Sequence, residues 1–144
     1  MTKEYTLNEF QAQCATTAVY SQAIDELLSP IEAAIDKVAG YRSATKEEQK
    51  ARESLEYIRK LLNVSYTVLG LAGEAGEVAN KMKKVIRDGT SFDPLKKEVQ
   101  GTRWYVNMCD RELGVDANDA AVQLAETLQS RKERGVIQGN GDNR

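Results

Sequence analysis

The run Leu69–Lys84, LGLAGEAGEVANKMKK, constrains this chain more than any other stretch. Gly70, Gly73 and Gly76 recur every third residue, Glu74 and Glu77 share that spacing, and Lys81 and Lys84 continue the line. Residues three, four and seven apart lie on one face of a helix. The two carboxylates therefore point at one spot, with two ammonium groups a turn or two beyond. A second stripe, Leu69, Ala72, Ala75, Ala79, Met82 and Ile86, is apolar and small enough to sit against a partner helix. Each glycine costs roughly 1 kcal/mol relative to alanine in a helix interior, so three in seven residues imply that a neighbouring backbone or a ligand comes close. Without context, Glu74…Lys81 and Glu77…Lys84 read equally as solvated surface pairs worth a few tenths of a kcal/mol.

The remainder of the chain supplies that context, first by exclusion. Its 144 residues are most simply one domain with a real core. A net charge of −2, with lysine and arginine spread among acids, leaves no footprint for a nucleic-acid polymer. There is no histidine; this removes Ser-His-Asp and Cys-His nucleophiles, histidine zinc ligation and imidazole acid–base work. Cys14 and Cys109 lack C-x-x-C spacing and read as two thiols in a reducing compartment. No apolar run approaches 18 residues and MTKEYTLNEF has no signal-peptide core. The expectation is a cytoplasmic protein away from membranes, whose chemistry rests on carboxylates, Lys/Arg and a hard metal ion.

Taken in order, Asn8 and Gln11 read as a capping pair opening a first helix with Phe10, Cys14, Ala18 and Tyr20 on its apolar side. That helix runs on through Ile24, Leu27 and Leu28 or breaks near Ser21. Ser29-Pro30-Ile31-Glu32 has the form of a capping box with proline at the first helical position, starting a short helix that ends at Gly40. Thr45 and Glu48 start another in the same way, and Ala51, Leu55, Ile58 and Leu62 keep the helix period. It stops near Asn63 or continues into Leu69–Lys84. Asp88-Gly89-Thr90-Ser91 is a turn, after which Asp93 caps a helix with Pro94 at its first position and a buried seam of Leu95, Val99, Val106, Cys109 and Leu113. Gly114 ends it. Asp116 begins the last helix, buried through Ala120, Leu124 and Leu128; it closes on Arg131, Lys132 and Arg134, with Gly135 as cap. Residues 135–144 form a polar tail. No period-two alternation competes, so the fold class is all-α.

Glu98 follows Glu77 with a turn between them. Antiparallel helices would bring it near Glu74 and Glu77, and three converging carboxylates repel strongly unless a cation sits among them. Oxygen-only ligands with open positions suit Mg²⁺, which keeps waters and takes substrate phosphates as further ligands. Lys81 and Lys84 would then meet the rest of a polyphosphate.

On these residues the chain resembles the MazG-like nucleoside triphosphate pyrophosphohydrolases, in particular their small single-domain phage-type members. The resemblance rests on Leu69–Lys84, which matches the family's E-x-x-E helix, on Lys97-Glu98 followed by Trp104-Tyr105-Val106, and on Ser130-Arg131-Lys132-Glu133-Arg134-Gly135 through Gly139-Asn140-Gly141-Asp142-Asn143-Arg144. Residues 22–63 look like an inserted helical pair. The resemblance implies an all-α bundle forming a homodimer or a dimer of dimers. It also implies Mg²⁺-dependent cleavage of (deoxy)nucleoside triphosphates to a nucleoside monophosphate and pyrophosphate. Glu74, Glu77 and Glu98 would hold the metal, and Glu74 and Glu77 would position and deprotonate the attacking water. Lys81 and Lys84 would contact phosphates, Arg131 and Arg134 either reach phosphates or serve only the helix dipole, Arg144 would fold with the tail over bound substrate, and Trp104 and Tyr105 either stack on a base or pack within the core or a dimer contact.

The chain departs from the pattern twice. The family's second motif is E-x-x-D, and here Glu98-Val99-Gln100-Gly101 places a glycine where the aspartate belongs. In the last helix, Leu124 and Thr127 stand where phage-type relatives carry N-x-x-K. Three readings follow: a hydrolase slowed by one missing ligand, a module that binds or senses a nucleotide without cleaving it, and a purely structural helical oligomer.

Overall fold

The computed structural model describes residues 4–40 and 43–138. Five helices account for nearly all of them: α1 Leu7–Ala15, α2 Tyr20–Ala39, α3 Lys46–Asp88, α4 Asp93–Leu113 and α5 Ala117–Glu133. The all-α expectation holds, and no strand occurs among the described residues.

Helix α1 is capped by Thr6, whose hydroxyl accepts from the Glu9 amide while the Glu9 carboxylate accepts from the Thr6 amide. The capping box therefore lies two residues before the expected Asn8–Gln11 pair. Asn8 serves elsewhere: its side chain donates to Asp116 and accepts from the Asn118 amide, tying α1 to the start of α5. Of the two courses left open for this region, the break is realised, α1 ending at Ala15 and α2 opening at Tyr20.

Ser29-Pro30 does not start a helix; α2 runs through it. Proline lacks the amide that would donate to the Glu26 carbonyl four residues back, and the Ser29 hydroxyl donates to that same carbonyl at 3.1 Å. The group orphaned by proline is thus satisfied locally, and the helix is not forced to end.

Thr45 and Glu48 form the expected capping box, and α3 then continues for 43 residues to Asp88, about 65 Å at 1.5 Å per residue. Its first third pairs with α2, where Leu28, Ala39 and Leu55 are buried and Arg59 bridges Asp25, Glu32 and Glu56. Residues 22–63 are therefore a helical pair whose second member is the same helix that carries the glutamates. The remainder of α3 packs antiparallel on α4 in the most extensive helix contact of the fold. The turn between them needs Gly89, which ends α3 at φ 63° and ψ 26°, a left-handed conformation that costs a glycine nothing.

Three packing expectations are corrected. The side of α3 that meets α4 carries Thr67, Gly70, Leu71, Glu74, Val78 and Lys81, whereas Leu69 and Ile86 of the alanine stripe are more than 70% exposed. On the observed face Gly70 leaves room for the Tyr105 ring, and the half-buried Leu71 and Val78 supply its apolar area. On α4, Met108 is the fully buried residue and Tyr105 lies half-buried beside it, whereas Val99, Val106 and Leu113 of the expected seam are exposed. On α5, which packs on α1, Ala120 is half-buried while Leu124 and Leu128 are exposed. Helix α4 begins at Asp93 with Phe92 as its cap, one residue earlier than expected, and Asp116 caps α5 as expected, accepting from the Asn118 and Asp119 amides.

Candidate functional site on the α3–α4 hairpin

The pairing register brings the two motif segments together. The Tyr105 ring lies against Gly70, so close that a Cβ built there would stand 2.0 Å from a ring carbon. One turn along, the Glu74 carboxylate lies on Gly101, where a Cβ would meet its Oε2 at 2.3 Å. Further on, the Lys81 ammonium reaches Glu98 Oε1 at 3.4 Å, with Glu98 only 19% exposed. Glu98, Gly101 and Tyr105 on α4 thus face Lys81, Glu74 and Gly70 on α3. The position at which the second motif departs from the family pattern is the one Glu74 touches.

This arrangement amends the local pairing inferred above. Lys81 pairs across the hairpin with Glu98 rather than along its own helix with Glu74, because residues seven apart are two turns, about 10 Å, from one another along the axis. Glu77 and Lys84 are exposed, Glu77 one turn past Glu74 at the flank of the hairpin. Only one of the three glycines in the run has a close neighbour: nothing lies within 4 Å of a Cβ at Gly73 or Gly76.

The donor set suits Mg²⁺ in kind. Glu74 and Glu98 offer oxygens from facing helices one turn apart, and magnesium needs only one or two protein carboxylates when phosphates and waters fill its other positions. Glu74 occupies the cradle over Gly101, where a second-motif aspartate would project. Among the described residues no three His, Cys, Asp or Glu side chains gather closely enough to hold a metal by themselves. What the fold presents is a pair of acids on facing helices, not a closed cage.

The other candidate residues divide. Trp104 donates its indole N–H to Thr17 Oγ1 at 2.9 Å and stands edge-on to both Tyr20 and Tyr105; Tyr20 in turn stacks on Tyr66 at 4.7 Å. Of the two roles left open for Trp104 and Tyr105, packing is the one this geometry realises. Burial, with Tyr66 alongside, pushes the Tyr105 hydroxyl above its ordinary range. Arg131 and Arg134 lie at the end of α5, which docks on α1. Thr127, where the lysine was expected, donates its hydroxyl to the Gln123 carbonyl within α5. Arg144 lies outside the described residues. Asp93 is bound to Lys96, and burial raises the carboxyl of Asp110.

Sequence reasoning missed the Tyr20–Tyr66 stack and the hydrogen bond from Tyr20 to Glu112, which join α2 to α3 and α4. The signal available was the placement of Tyr20 on the apolar side of its segment with Phe10, Cys14 and Ala18.

No protein-family model matches the chain, and no solved structure matches it. Among curated proteins, the Gene 37 protein of Mycobacterium phage L5 is 45% identical over 87 residues, covering 56% of this chain and 76% of that protein. No helix among the described residues is long and apolar enough to cross a membrane.

Proposed function

The chain belongs to the family of the Gene 37 protein of Mycobacterium phage L5, and we propose that its α3–α4 hairpin is a nucleoside triphosphate site. There Mg²⁺-dependent hydrolysis gives a nucleoside monophosphate and pyrophosphate, slowed by the missing second-motif carboxylate. The observation that carries this reading is the placement of Glu74 against Gly101, one turn from the Glu98–Lys81 pair. Two acids and an ammonium thereby face each other across the helices that hold the E-x-x-E and second-motif segments.

Glu74 and Glu98 would hold the magnesium ion that arrives with the nucleotide. When bound, that ion neutralises phosphate charge and makes the α-phosphorus a better electrophile. Lys81, a third exposed at its side chain, turns from Glu98 to a phosphate oxygen. Lys84, at the solvent edge one turn further, neutralises the terminal phosphates. Glu77, exposed and one turn from Glu74, orients the attacking water and takes its proton.

A second reading has its own observation. Lys81 already compensates Glu98 and Gly101 carries no carboxylate, so the hairpin would hold a polyphosphate without turning it over. Pyrophosphate release from a panel of deoxynucleoside triphosphates, with and without Mg²⁺, separates the two. Hydrolysis predicts Mg²⁺-dependent release abolished by Glu74→Ala and raised tenfold or more by Gly101→Asp, a barrier lowered by about 1.4 kcal/mol or more. Calorimetric binding with the nucleotide recovered intact selects the second reading. Neither binding nor release overturns both.

A further inference from the structure

Helical phase sets Glu77 in company that the sequence motifs do not assign. Measured from the contact made by Gly70, Glu74 and Lys81, residues Glu77, Gly73 and Lys84 lie about 40–80° round α3 at 100° per residue. Measured from Glu98, Gly101 and Tyr105, Lys97 lies about 70° round α4 in the same sense. Because the helices run antiparallel, rotations of one sense bring all four to one flank of the hairpin. Tyr66 and Trp104 share that rotation, and the rings of both meet Tyr20. Aromatic side chains thus wall one end of the flank, and the other end leads to the turn at Gly89. Its floor is bare at Gly73, where nothing lies within 4 Å of a Cβ.

Most cations of this part of the hairpin are committed elsewhere. Lys81 is held by Glu98, Arg87 by Asp88 and Lys96 by Asp93. The Asp88 carboxyl is lowered by Arg87 first and by Lys84 as well, so Lys84 also leans on an acid of its own helix. Lys83 and Arg103 are turned more than about 150° from the contact face. Lys97 remains. It is exposed and makes no hydrogen bond or ion pair among the described residues.

Position singles it out too. The contact of Glu74 on Gly101 sets those two residues level. Lys97, four residues from Gly101, stands about 6 Å along the axis from that level, whereas Lys84, ten residues from Glu74, stands about 15 Å away. Lys97 is therefore the unpaired ammonium nearest the acid pair, level with Glu77 and across the hairpin from it.

We infer that Lys97 receives the β-phosphate of a nucleotide whose α-phosphate lies at Glu74. The inference rests on the nucleotide reading of the hairpin and gives the bound polyphosphate a direction, from Glu74 past Lys97 to Lys84 near the turn. An ammonium without a carboxylate partner gives its full charge to a phosphate oxygen. A monophosphate ends before reaching Lys97, a diphosphate reaches Lys97 alone, and a triphosphate reaches both lysines.

Calorimetry on the full chain tests this without turnover, using Mg²⁺ with a deoxynucleoside monophosphate and with di- and triphosphates whose α–β bridge is methylene. Lys97→Gln weakens the di- and triphosphate about tenfold and leaves the monophosphate unchanged, and Lys97→Arg restores both. Lys84→Gln weakens the triphosphate alone. Lys96→Gln, next in sequence but turned to the opposite side, changes none of the three. If wild type binds the triphosphate and Lys97→Gln binds it equally, the inference falls and the hairpin site stands. An equal loss from Lys96→Gln, or a diphosphate that depends on Lys84 rather than Lys97, also overturns it. A wild type that binds none of the three overturns the inference and the nucleotide reading together.

Discussion

Glycine-to-alanine substitutions on the hairpin offer a sharp test of its register, because three glycines in similar helices meet different neighbours. Each replacement removes backbone freedom from the unfolded chain and gains about 1 kcal/mol of helix propensity. At Gly73 nothing lies within 4 Å of the new Cβ; the whole gain appears, and the thermal midpoint rises by roughly 3 °C. At Gly101 the new atom meets Glu74 Oε2 at 2.3 Å and Cδ at 2.8 Å. These are the far end of a flexible side chain that can swing to solvent, so most of the gain survives. At Gly70 it meets three carbons of the Tyr105 ring, at 2.0, 2.4 and 2.6 Å. That ring cannot retreat, being boxed by Trp104 at 4.8 Å. Overpacking of a fitted contact costs about 1–3 kcal/mol, with this geometry at the upper end, so Gly70→Ala loses a net 1–2 kcal/mol, roughly 3–8 °C. Circular dichroism melts at one fixed protein concentration give the order: Gly73→Ala highest, Gly101→Ala next, wild type, then Gly70→Ala. In a Tyr105→Ala background Gly70→Ala becomes stabilising, which isolates the pair. Should Gly70→Ala match Gly73→Ala in the wild-type background, Tyr105 does not lie on Gly70 and the site geometry falls with it.

Two further predictions concern pH. The Asp116 carboxyl is held below its ordinary range by the Asp119 amide first, and also by the Asn8 side chain and the Asn118 amide. A depressed carboxyl contributes stability that is complete above the ordinary aspartate value, about 3.9, and disappears as pH falls through the lower folded value; denaturant titrations should show Asp116→Asn, which keeps the cap, with a shallower loss on the acid side. The Tyr20 hydroxyl is pushed up by burial first and by its hydrogen bond to Glu112. The unfolded chain therefore loses this proton first as pH rises past about 10, stability falls above that point, and Tyr20→Phe flattens the fall. A Tyr20→Phe variant with an alkaline slope equal to wild type would assign the slope elsewhere, to the Cys14 thiol and the Tyr105 hydroxyl, both also raised by burial.

Local chemistry determined much of this protein from its sequence. Thr45 with Glu48, Gly89, Gly114 and Asp116 set helix ends where backbone groups must find partners, and those needs are met within a few residues. The absence of period-two alternation sufficed for the all-α class. The antiparallel pairing of the E-x-x-E helix with the helix of Glu98 was also legible, because a short turn between two amphipathic helices leaves little choice but such a hairpin; the gathering of three carboxylates was not realised, since Glu77 is exposed at the flank and Glu98 pairs with Lys81. Tertiary structure decided the rest. Whether Pro30 ended a helix depended on the Ser29 hydroxyl. Which side of α3 met α4 was not ranked by periodicity, because the side that did carries Glu74 and Lys81 between its apolar residues. The pairing of Lys81 with Glu98 rather than Glu74 followed from register across the hairpin, a long-range relation with no trace in local spacing. The residues of the other stripe, Leu69 and Ile86 among them, remain on the surface among the described residues.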